Sequence, residues 1–159
     1  MPVRERWRVL DGETDPPRLW ALLEWCVAHG ADEFTIDVMA LVDVPAALAD
    51  AFEDAMTPWA RPPAVRDVLD GAAGPAYPAR VRLWTLDART LALLRGFLPD
   101  GPLRLGAGRP GAAGWLEQLI VYRGGELLFA GLPQDGTGLL ELRSGERHQL
   151  TTLGLVLHG

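Results

Sequence analysis

The sequence predicts one α+β domain over residues 1–159, with a mainly antiparallel sheet, about four helices and a C-terminal hairpin meander. Two observations carry this expectation. Helical spacing of apolar residues dominates the early part of the chain, whereas the late part alternates at strand spacing. Gly124-Gly125 and Asp135-Gly136 then divide the late part at the intervals expected of hairpin turns. The 159 residues, 48% apolar and 23% charged, are enough to bury a core without disulfide or metal staples.

Residues 3–10 read as a strand, with Val3, Trp7 and Val9 on one face and Arg4, Arg6 and Arg8 on the other. Asp11-Gly12 turns the chain. Thr14 or Asp15 caps a helix that opens on Pro16-Pro17 and runs to His29, with Gly30 as its left-handed stop. Leu19, Leu22, Leu23, Cys26 and Val27 share its apolar side, and Trp25 falls on the flank expected to meet solvent. Residues 33–41 alternate as a second strand. A second helix follows Pro45 and ends near Thr57, with Asp50, Glu53 and Asp54 together on its outer side.

Five of the 13 prolines fall within residues 57–80, so this Pro/Gly-rich stretch reads as a long connection inside the one domain. Residues 80–86 form a third strand, and Asp87 caps a helix over 88–97. A short strand at 103–105 and a glycine-rich loop at 106–114 come next. Strands at about 116–123, 126–132 and 138–143 make the meander. Ser144 caps a last short helix that Gly154 stops.

Residue types that are missing exclude several chemistries. All 15 cations are arginine, so neither a Schiff-base lysine nor a phosphate-loop lysine exists. Ser144 is the only serine and lies outside a nucleophile elbow; Cys26 is the only cysteine, which removes intramolecular disulfides and multi-cysteine zinc sites. His29, His148 and His158 have no metal-binding spacing, so no metal is expected. Gly106, Gly108 and Gly111 match the spacing of a dinucleotide fingerprint, with Glu126 at the expected distance beyond. The residues that follow have strand character where that fold needs a crossover helix, so no nucleotide cofactor is expected. The chain has no apolar run long enough for a membrane span, and its start carries the charges of Arg4, Glu5 and Arg6 where a signal peptide needs an apolar stretch, which predicts a cytoplasmic protein.

Net charge is −6 and unevenly spread. No cation occurs between Arg18 and Arg61, a stretch that carries Glu24, Asp32, Glu33, Asp37, Asp43, Asp50, Glu53 and Asp54. Such a surface repels phosphate backbones, which disfavours nucleic acid, and attracts a basic protein. The plain alternative is a solvated face. The candidate partner-binding residues are Asp32, Glu33, Asp37, Asp50, Glu53 and Asp54, with Trp25 as an apolar anchor.

The segment Trp115-Leu-Glu-Gln-Leu-Ile-Val-Tyr122-Arg-Gly-Gly-Glu-Leu-Leu-Phe129, the Asp135-Gly136 turn, Leu139-Leu-Glu-Leu142, and Leu153-Gly-Leu155 after a short helix together have a familiar rhythm. This stretch, roughly the last 45 residues, resembles the closing module of small cytoplasmic immunity-type domains of bacterial toxin–immunity systems. Gln134-Asp135 stands where a His-Glu pair is expected in that module. The resemblance implies a non-enzymatic protein that neutralises a toxin-like partner by occlusion. Two other readings stay open. One is a small-molecule or anion site, or an uncommon enzyme, on the Gly106–Gly114 loop with Arg104, Gly106, Gly108 and Arg109. The other is a structural subunit of a larger assembly, and a homo-oligomer is compatible with each.

Overall fold

A computed structural model describes residues 3–38, 84–97, 103, 116–132 and 135–159. Among them the chain is α+β, with one six-stranded antiparallel sheet and three α-helices. The strands are β1 (Arg4–Leu10), β2 (Glu33–Val38), β3 (Trp84–Thr85), β4 (Leu116–Arg123), β5 (Glu126–Leu132) and β6 (Thr137–Arg143). Their order across the sheet is β1-β6-β5-β4-β2-β3, so the first strand lies beside the last. The helices are α1 (Pro16–Ala28), α2 (Ala88–Phe97) and α3 (Glu146–Thr152).

Local chemistry sets the ends of α1. The Asp15 side chain accepts from the Arg18 amide at 3.0 Å, which resolves the choice of cap in favour of Asp15 over Thr14. Pro16 and Pro17 occupy the first turn, where an amide hydrogen has no helical partner. Beyond the helix, Gly30 takes φ +97°, a left-handed conformation that lets the chain turn back toward β2. Asp87 opens α2 with reciprocal bonds: its carboxylate accepts from the Thr90 amide, and its own amide donates to the Thr90 hydroxyl, both at 2.9 Å. The last helix departs from expectation. Its N-cap is Gly145, not Ser144, with no side-chain capping bond, and the Glu146 carboxylate accepts from the Arg143 amide just before it.

One row of side chains shows how the sheet makes its core. Trp7, Leu140, Phe129, Val121, Phe34 and Trp84 are register partners across all six strands, and all belong to the same apolar cluster. Leu19, Leu22, Leu23 and Cys26 of α1, Leu91 and Leu94 of α2, and Leu150 of α3 complete that cluster. In β5, Val121 faces Phe129 and Tyr122 faces Leu127, so Leu128 is the extra residue of a bulge. The bulge breaks the two-residue alternation, and the adjacent Leu128 and Phe129 both enter the core. At Gly138 any Cβ would sit 2.7 Å from Phe129 and 2.8 Å from Val9, so only glycine lets the two pack.

Several expected elements lie outside the described residues. These are the second helix near 45–57, the 57–80 connection and the glycine-rich loop of 106–114. Residues 116–123 form a strand, as the alternation requires, and Glu126 follows the tight Gly124-Gly125 turn (φ +58° and +84°). No described helix is long and apolar enough to cross a membrane.

Candidate functional site

The described part of the expected acidic face lies where α1 hands over to β2. Asp32 is exposed, but it is tied into the fold at three points. Its amide donates to the Tyr122 carbonyl at 3.0 Å, its carbonyl accepts from Leu86 at 2.8 Å, and its carboxylate accepts from the Gly124 amide at 3.2 Å. One Asp32 oxygen thus pins the β4–β5 turn while the side chain stays in water. Glu33 does not share that exposure: it is buried, between Tyr122 and Thr85 in the ladder. This corrects its place among outward carboxylates, because β2 is an interior strand and Glu33 faces a covered surface. Asp37 stands opposite Gln118 in the β2–β4 pairing. Asp50, Glu53 and Asp54, and Arg104, Gly106, Gly108 and Arg109 of the other reading, lie outside the described residues.

Trp25 is also corrected. It is only 7% exposed, so it is not a solvent-facing anchor. Its ring stacks on His29 with centroids 4.2 Å apart, and its indole N–H donates to the Gln149 side-chain oxygen at 3.0 Å. Helix α3 therefore covers the flank of α1 that helical spacing assigns to solvent. The indole spends its apolar area and its one donor inside the fold.

Beside Trp25 lies an ion pair that sequence reasoning missed. Arg123 grips Glu146 through two bonds of 2.8 and 3.2 Å, with the two side chains only 11% and 12% exposed. Glu146 also accepts from the Arg143 amide at 2.8 Å. Burial works against its charged form, but the bonds from Arg123 and the Arg143 amide and the charges of both arginines outweigh it. They hold the carboxyl below its usual range. A signal for this pair existed. Arg123 continues the parity of Leu119 and Val121, so it sits on the core face of β4, where a guanidinium needs a carboxylate.

Cys26 completes the junction from below. It is fully buried, and burial pushes its thiol up to about 12, with the Arg123 charge pulling only weakly the other way. A thiol so protonated and covered is a packing group, not a nucleophile. Asp87 is held below the usual carboxylate range, chiefly by the Thr90 amide, so its charge belongs to the helix cap. Between α1 and α2, Trp20, Glu24, Ala88, Leu91, Ala92 and Arg95 line an open groove of about 280 Å³. Glu24 and Arg95 pair across it at 3.3 Å, so the two charged groups of its lining already answer each other. Among the described residues no three His, Cys, Asp or Glu side chains group as a metal site. No family model, curated protein or solved structure matches the chain.

Proposed function

We propose that the protein is a non-enzymatic binding protein that captures a basic partner protein through the carboxylates of residues 32–54 and blocks it by occlusion, as an immunity-type domain does. The observation that carries this reading is the charge pattern. Residues 19–60 hold eight acids and no cation, so these carboxylates have no counter-charge nearby in sequence. Exposed like charges at this density repel one another, a cost that a partner's arginines or lysines would relieve. Asp32, Asp37, Asp50, Glu53 and Asp54 form the binding face, without Trp25 or Glu33, whose side chains are buried.

Complementary charge acts first on encounter: it speeds association and weakens with salt. The test is capture of a basic protein from the native host, followed by association rates across ionic strength. The triple reversal Asp50→Arg, Glu53→Arg, Asp54→Arg should slow capture severalfold or more, with the far-ultraviolet spectrum unchanged. If the captured partner binds the reversed protein at the same rate and affinity, the acidic stretch is only a solvated face.

A further inference from the structure

Strand β1 closes one side of the sheet and is paired along its whole length with β6 only. Among the described residues its outer edge meets the chain at one point. The Arg8 amide donates to the His158 carbonyl at 2.8 Å, and the His158 amide donates back to the Arg8 carbonyl at 2.9 Å. That exchange fixes which main-chain groups point outward. In an antiparallel ladder they alternate, so Arg4 and Arg6 present their N–H and C=O groups to the same side as Arg8. Among the described residues these groups of Arg4 and Arg6 bond to nothing.

On the face opposite the core the side chains of this edge have one sign, while Glu5, also in β1, lies on the Trp7 side and accepts from the Trp7 indole N–H at 3.1 Å. Arg4, Arg6 and Arg8 all project from the sheet face opposite the core, and Arg143 is the direct partner of Arg4 in β6. Two carboxylates answer them: Glu126 pairs with Arg4, and Glu141 with Arg6 at 2.6 Å. Arg6 nevertheless keeps 65% of its side chain exposed, and Arg8 has no ion pair among the described residues. An open edge is a template for another strand, and its charges decide which strands it accepts. A second copy of β1 would set arginine against arginine, which opposes self-pairing. An extended segment with alternating carboxylates meets both the open main chain and the unanswered positive charge.

We propose that the β1 edge docks an extended acidic segment of a partner protein by strand addition. The segment's main chain pairs with Arg4 and Arg6, and its alternate carboxylates face Arg4, Arg6 and Arg8. The bridge at His158 sets one end of the site. This surface is distinct from the acidic stretch, takes a partner of opposite charge, and does not depend on the proposed function.

The test uses a blocked, fluorescein-labelled seven-residue peptide of alternating Glu and Val, read by anisotropy against the full chain. Two derivatives carry N-methyl groups on either the odd or the even residues, and a Lys-Val peptide is the control for charge. Strand addition predicts saturable binding of the Glu-Val peptide and little binding of the Lys-Val peptide. One N-methyl set should weaken binding tenfold or more while the other leaves it nearly intact, because only alternate amides face the edge. Reversal of Arg4, Arg6 and Arg8 to Glu should also cost tenfold or more, with folding checked by circular dichroism. No saturable binding, equal binding of the Lys-Val peptide, or equal effects of the two N-methyl sets overturns the proposal. The peptide arms use the unmodified protein, so a variant that fails to fold does not rescue it.

Discussion

Arginine–glutamate pairs occur in two settings in this molecule, and the contrast between them is instructive. At the junction of α1, the β4–β5 turn and α3, Arg123 and Glu146 are nearly covered and joined by two bonds. At the β1 edge, Arg6 meets Glu141 through a single bond with the guanidinium largely in water. The chemistry is the same and the consequence is not. A covered pair has surrendered its hydration, so removing one partner strands a charge. A wet pair exchanges water for a partner at nearly equal free energy. The junction holds the fold together; the edge leaves its cations available.

The largest expected effect breaks the covered pair. Arg123→Met leaves the Glu146 carboxylate without its main partner and should cost about 3 kcal/mol in urea unfolding at neutral pH. A second variant, Glu146→Gln, tests the pH dependence of the same pair. The Glu146 pKa is lowered in the folded protein, so its stabilisation is complete above the unfolded-state value and is lost as pH falls through the folded one. Part of the native protein's acid destabilisation should therefore be absent in Glu146→Gln, and a curve parallel to wild type would show that Glu146 is not the group responsible.

A smaller loss tests the same junction through Trp25. Gln149→Ala removes the acceptor of the buried indole N–H and should cost about 1 kcal/mol, with a shift in tryptophan emission on the native baseline. Asp87→Ala, at the α2 cap, should cost about the same, since it removes the bond to the Thr90 amide. The least effect belongs to the edge. Arg6→Ala should change stability by about 0.5 kcal/mol or less, because the pair it breaks is exposed. A loss as large as that of Arg123→Met would erase the distinction between the two regions.

Local signals were the legible part of the fold. Pro16-Pro17 after Asp15, Gly30 after His29, and Gly124-Gly125 between alternating runs mark ends that depend on a few neighbouring φ/ψ angles. Expected bounds for the helix at 88–97 and the strands at 116–123 and 126–132 accordingly match α2, β4 and β5. The candidate site was less legible. A helical wheel counts Trp25 as outward because it knows only its own helix, and the cover over Trp25 comes from α3, 124 residues further along. Glu33 was misjudged for a related reason. A strand's alternation assigns it a face but not whether that face is covered.

The sequence by itself determined the periodicity of its elements, their caps and turns, the absence of lysine, and the cation-free acidic stretch. Each is a property of neighbours along the chain. Only the tertiary structure decided that β1 pairs with β6, that Arg123 finds Glu146, and that His158 closes on Arg8. Those contacts join segments far apart in sequence, and apolar alternation gives every strand much the same invitation to pair. Which invitation is accepted depends on closing long loops around one shared core, a condition on the whole chain that no local window contains.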